Sequence, residues 1–235
     1  MTGRLFSLVA LTAAMAVSPA HAETVKVGRA SIELPEGNWK ALATSNGQDK
    51  ASDGSADGAL PTETRSFAFI SDGRVMAILY VNSSKAGGLE VNWINTCTST
   101  QSVLALNLTK NPNALECVRM SVPLKAEQYL KLAMPDVLNA MEARHMAVPP
   151  AMQAIGVTVG SFGGTSMHVN LLAVPSFLGL QGEEVSTLPA PLKPGQLVWA
   201  RQLAAAVKGS LYSMSGNMTL PPLAFAPRVN SSTSQ

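Results

Sequence analysis

The sequence predicts an α+β fold, an antiparallel sheet of about 6–8 strands built from hairpins and covered by two main helices. Three observations carry that expectation. β-prone runs come in pairs around tight-turn residues at Ser71-Asp72-Gly73-Arg74, Asn111-Pro112-Asn113-Ala114 and Gly163-Gly164. Two segments, about 125–146 and 196–214, carry apolar side chains at helical spacing. Consecutive strands are joined by short turns, which makes their pairing antiparallel.

The chain opens with "MTGRLFSLVALTAAMAVSPAHA". One positive charge, Arg4, precedes an apolar run from Leu5 to Val17, and Ala20-His21-Ala22 is a small-x-small cleavage signature. Residues 1–22 are read as a secretory signal peptide, cut between Ala22 and Glu23. The run is too short to span a bilayer, and no later segment is apolar for long enough. Removing it leaves 235 − 22 = 213 residues, a length suited to one domain, expected over 23–216. Only Arg4 leaves among the charged residues, so 16 basic groups face 15 acidic ones. A net charge of +1 with scattered charges carries no footprint for nucleic acid and no polybasic stretch for anionic lipid.

"TVKVGRASIELPEGNW" alternates apolar and polar residues around Gly28 and Pro35-Glu36-Gly37, which reads as a short hairpin or a kinked strand. Residues 44–65 have almost no apolar content and are read as a long mobile loop. Asp49, Asp53 and Asp57 recur every four residues there, a spacing that does not match a calcium loop. The runs Ser66–Ile70 and Val75–Val81 flank Asp72-Gly73, the strongest hairpin signal in the chain. The second run is apolar on both faces, with Met76, Ile78 and Tyr80 on one and Val75, Ala77, Leu79 and Val81 on the other. That places it centrally, with a layer on each side.

A second hairpin pairs about 103–108 with 115–122. The helix over 125–146 must break or kink at Pro135, which lacks a donor and clashes with the preceding turn. Strands 155–162 and 166–174 form a third hairpin. The helix over 196–214 presents Leu197, Ala200, Ala204, Val207 and Leu211 as one stripe, with Gly216 as its end signal. The tail 217–235 has no periodicity and is expected to fray.

The residues that could carry chemistry are few. Two histidines remain after the signal, His145 at a helix end and His168 on a strand face opposite Met167 and Val169. Both are read as structural or surface groups. HExxH, CxxC and GxSxG are absent, so no metal, cofactor or catalytic residue is assigned. "GSFGG" at 160–164 lacks the lysine and the following helix that a phosphate loop requires, and reads as a β-turn. The methionines are spaced as core filler.

Cys97 and Cys117 are the only cysteines. In an exported chain two lone cysteines pair, and closing a loop over twenty residues contributes ~3 kcal/mol in the chain-entropy model. The pairing sets a geometric condition. With the hairpin centred on Asn111–Ala114, Cys117 lies opposite Leu108, and a strand running straight back to Cys97 would place the thiols roughly 36 Å apart. A disulfide tolerates a Cα separation of about 7 Å. The chain must therefore turn back at "CTSTQ", pinning the segment that holds Trp93, read as a short helix, against "ECVRMSV".

The stretches "ELPEGNW", "GRVMAILYV", "ECVRMSV", "HMAVPP" and "WARQLAAAVKGSL", with the signal peptide and the two cysteines, resemble a group of exported proteobacterial proteins without an assigned activity. The resemblance implies a periplasmic address and transfers no catalytic residue. The strand–helix order is also similar to antiparallel domains of the PsbP and Mog1 type, which bind partners. The expected function is that of a soluble periplasmic accessory or binding protein without catalysis, whose partner is a protein or a small apolar ligand. Two alternatives stand beside it. One is a hydrolase-like enzyme using His168 with a serine and an aspartate. The other is a carrier of lipid or another apolar ligand between sheet and helix.

Overall fold

Asp72 and Gly73 take φ values of 50° and 73°, the left-handed pair that a two-residue type I′ turn needs. Ser71 and Arg74 face each other across that turn. The computed structural model in which this is seen describes residues 23–49, 60–87, 93, 97–100, 103–111, 114–178 and 194–223. In chain order its strands are β1 (Thr24–Val27), β2 (Ala30–Glu33), β3 (Trp39–Asp49), β4 (Leu60–Ser71), β5 (Arg74–Ser84), β6 (Val103–Asn107), β7 (Leu115–Ser121) and β8 (Leu124–Lys125). The helices α1 (Ala126–Ala133) and α2 (Pro135–Ala143) follow, then β9 (Ala151–Gly160), β10 (Ser166–Ala173), α3 (Pro194–Tyr212) and β11 (Asn217–Thr219).

The main sheet runs β3-β4-β5-β10-β9-β7-β6, every neighbour antiparallel, with β8 paired to β9. The α+β expectation holds. β5 lies in the interior of the sheet beside β10, as a two-faced apolar strand should. On one face Ala77, Leu79, Val81, Val169 and Leu171 pack with Ala200, Leu203 and Val207 of α3 and with Val27 and Ile32 of a small sheet, β1-β2-β11. On the other, Ala68, Ile78 and Leu172 pack with Leu130, Val137 and Met141 of α1 and α2.

The break at Pro135 is real. α1 ends at Ala133, Met134 leaves helical geometry at φ −144°, and Pro135 starts α2 at the one helical position where a missing N–H costs nothing. Both halves still bury their apolar stripe in one core. Sequence periodicity misplaced one pair of side chains. Phe69 opposes Ala77 and Ile70 opposes Val75, so Met76 is an extra residue, a β-bulge. It reverses the alternation, sending Val75 to the core under α1 and α2 and Met76 to the core under α3.

Two loop expectations are corrected. Residues 44–49 and 60–65 belong to strands β3 and β4, paired as far as Asp49 with Leu60, rather than to a mobile loop; 50–59 lie outside the described residues. Backbone pairing needs no apolar side chain, and the residues this ladder turns inward are hydroxyls such as Thr62 and Ser66. The tail is ordered at its start. β11 pairs in parallel with β2, Met218 and Leu220 are buried, and the Trp199 indole N–H donates to the Pro221 carbonyl at 3.2 Å. Gly216 does not cap α3, which ends four residues earlier at Tyr212. Its φ of +66° and the Arg29 carbonyl against its Cα leave no room for a side chain.

Cys97 and Cys117 are joined, with Cα atoms 5.5 Å apart. Cys117 stands opposite Asn107, one residue from the Leu108 expected. The chain turns back where the constraint required it: Thr100 bridges Val103, and the Ser99 hydroxyl meets both the N–H and the carbonyl of Ala105. Trp93 lies buried over Gly160, where an added Cβ would come within 2.5 Å of the ring, and donates its indole N–H to the Ser161 carbonyl at 2.8 Å. The helix expected around Trp93 lies outside the described residues.

The double variant Cys97→Ser/Cys117→Ser should lose about 3 kcal/mol of unfolding free energy in urea. Trp93 emission should shift to longer wavelength before global unfolding, because the clasp at Cys97 anchors the chain four residues beyond it.

Candidate functional site

Three local irregularities converge at one end of the main sheet. The first is the Asp72-Gly73 turn. The second is the bulge at Met76. The third is the end of α2, where the Met146 N–H reaches back to the Met141 carbonyl at 2.9 Å and the His145 N–H to that of Glu142 at 3.0 Å. That bond pair is a Schellman motif, and its left-handed residue is His145 at φ 54°. Glycine is the usual occupant of that position; a side chain with a Cβ there costs of order 1 kcal/mol or more.

Together these features wall a cleft of about 520 Å³. Its apolar lining includes Ile70, Met76, Met146, Val148 and Val174, all half-buried. Met76 and Val174 extend one core, while Ile70, Met146 and Val148 extend the other. The cleft thus opens where the cores on opposite faces of the sheet meet at the strand ends. Pro149, Pro150 and Pro175 stiffen its rim, and the Val174 N–H donates to the Met76 carbonyl at 2.9 Å across its base. Three exposed basic side chains also line it, Arg74, Arg144 and His145, and no lining residue is acidic. The volume and the apolar majority fall in the range of small-molecule sites.

Sequence reasoning placed His145 at a helix end but did not bring it to a site. Arg74, Met76 and Val174 were missed, since nothing in the local pattern shows that a hairpin tip and a loop seventy residues later meet. The left-handed histidine is equally invisible in the sequence.

His168, expected on an exposed face, is half-buried. It occupies a polar band on the helix-covered face, between the α1–α2 core and the patch of Leu60, Trp93, Leu115 and Cys117. Its Nδ1 lies 2.8 Å from the Thr158 hydroxyl, and Tyr80 meets it edge-on at a ring distance of 6.0 Å. Burial, then the positive charge of Arg119, pushes its pKa down from 6.5 to about 4. Nearby, Asn170 is 6 % exposed and its Oδ1 has no partner, as is true of Asn82 Oδ1. Tyr129 of α1 bonds to Asn170, and burial raises its pKa.

The hydroxyl beside His168 is a threonine at the opposite strand position, and the charge acting on the ring is a cation rather than a carboxylate. The arrangement favours a neutral imidazole of low basicity, the reverse of what an orienting aspartate would do. Among the described residues no group of three His, Cys, Asp or Glu side chains is placed to hold a metal. None of their helices is long and apolar enough to cross a membrane.

No protein-family model, curated protein or solved structure matches the chain.

Replacing His145 by glycine should raise stability by about 0.5–1 kcal/mol in chemical denaturation, because the left-handed strain is relieved. His168 supplies a pH dependence. Its folded pKa lies below the unfolded one, so the unfolded state binds more protons between about 4 and 6.5. The stability tied to the neutral ring is complete above 6.5 and is lost as pH falls through that window, by roughly 2–3 kcal/mol. The difference between wild type and His168→Gln, followed by urea unfolding at pH 7, 5.5 and 4, should shrink by that amount.

Proposed function

We propose that this chain is an exported, non-catalytic binding protein whose ligand is a small, largely apolar molecule held in the cleft beside His145. The observation that carries the reading is the cleft itself. Half-buried apolar side chains from two separate cores are gathered there, and a left-handed residue that is not glycine stands in the wall. Strained backbone persists where the surroundings over-determine it, and such positions cluster at ligand sites.

The exported, periplasmic address is supported by the residues read as a signal peptide and by the disulfide, which needs an oxidising compartment. The depressed basicity of His168 speaks for a structural role in the polar band and against a general base at neutral pH.

Native mass spectrometry of protein purified from its own source tests both parts. The expected species begins at Glu23, has no alkylatable thiol, and carries a non-covalent adduct that leaves on activation. Protein that never retains an adduct, or a turnover activity abolished by His168→Gln, would sink the reading. In vitro, Val148→Asp should weaken binding of an environment-sensitive apolar dye by about tenfold or more, since it puts a charge among apolar side chains. Far-UV circular dichroism should show that the variant stays folded.

A further inference from the structure

The cleft is asymmetric in its chemistry, and the asymmetry selects a ligand. Its interior is aliphatic side chains, thioethers and proline rings. Its fixed charges are of one sign and come from both walls: Arg74 from the hairpin tip and Arg144 from the end of α2. The two ion pairs seen among the described residues, Arg65 with Glu63 and Lys208 with Glu116, include neither arginine. Arg144 spends one guanidinium nitrogen on the Ala140 carbonyl at 2.9 Å, which fixes the side chain along the helix end and leaves its remaining N–H donors. The acidic side chains nearest in sequence are Asp72, which takes a hydrogen bond from the Ser71 hydroxyl at 3.3 Å, and Glu142 before Arg144, and neither lines the cleft.

The fold explains only part of this positive charge. Arg144 sits at a helix C-terminus, where positive charge is favourable. Arg74 has no such reason to be there, since it follows a β-turn on a different element. Arg74 and Arg144, from separate elements, line the same cleft, so an anion held between them would meet two guanidinium groups. Guanidinium groups suit carboxylate or phosphate oxygens, with which they form paired, charge-assisted hydrogen bonds.

Building on the binding role proposed above, we infer that the cleft takes a single-chain amphiphile with an anionic head, the aliphatic part against Met76, Met146, Val148 and Val174 and the head between Arg74 and Arg144. The chemistry shared by a free fatty acid and a phosphate monoester of a fatty alcohol satisfies it. A neutral or cationic amphiphile of equal chain length satisfies only the apolar half.

Titration calorimetry with the mature disulfide-bonded protein, below the micelle concentration of each probe, separates the cases. The probes are dodecanoate, dodecyl phosphate, 1-dodecanol and dodecylammonium. Dodecanoate or dodecyl phosphate should bind at least about tenfold tighter than 1-dodecanol, with dodecylammonium weakest, and whichever anion binds better identifies the head. In the double variant Arg74→Gln/Arg144→Gln the anion should fall to the affinity of the alcohol, while 1-dodecanol binding stays unchanged. Both arginines are exposed, and thermal unfolding verifies that the variant is folded. Equal affinity for acid, alcohol and amine, or an anion preference that survives the double variant, overturns the head-group assignment and leaves the apolar cleft standing. Failure of all four probes to bind, with Val148→Asp without effect on dye binding, overturns the cleft as a site.

Discussion

The architecture depends on the pairing of β10 with β5. β3, β4 and β5 form one antiparallel meander, and β6, β7, β9 and β10 form another group. Only the register from Met167–Ser83 to Ala173–Ala77 joins them into one sheet. β5 carries apolar side chains on both faces, and β10 adds Met167, Val169 and Leu171 to one core and Leu172 to the other, so their pairing also fixes where both cores lie. The contact closes across more than eighty residues of chain, and its entropic cost falls due before α1, α2 and α3 can cover the sheet. Short-range hairpins supply the pieces, and this one long-range seam makes them a layered fold.

The same seam explains why a cleft forms at one end. Where the β4–β5 hairpin tip and the end of β10 come together, the sheet no longer separates its two cores. The bulge at Met76 turns adjacent residues toward opposite layers, and the Schellman turn of α2 brings Met146 over the gap. None of these features is required by the sheet. A regular alternation and a glycine at position 145 would close the same connections at lower energy.

The parts of the fold legible in the sequence are those whose chemistry is local. Asp72-Gly73 announces its turn, Pro135 its helix break, and the cysteine spacing forces the chain to reverse near Thr100. What failed did so because distant partners decide it. Thr62 looks like a loop residue until the ladder to β3 and β5 hides its hydroxyl. Met218 and Leu220 look like a frayed tail until β2 and Trp199 receive them. The site was hidden for the same reason. Arg74 and Arg144 lie seventy positions apart, and neither the bulge nor the left-handed His145 leaves a mark in the pattern of apolar residues.

The reversal held by the disulfide also bears on how copies of this chain meet. β6 is the last strand of the main sheet, and such a strand offers open N–H and carbonyl groups to any passing strand. Ser99 occupies both groups of Ala105 with one hydroxyl, and Thr100 engages Val103. The clasp between Cys97 and Cys117 holds that cover in place. The covalent bond therefore guards solubility as much as it guards the native state. Reducing the thiols would free the 97–100 segment that covers this margin, the kind of edge along which strands pair between molecules.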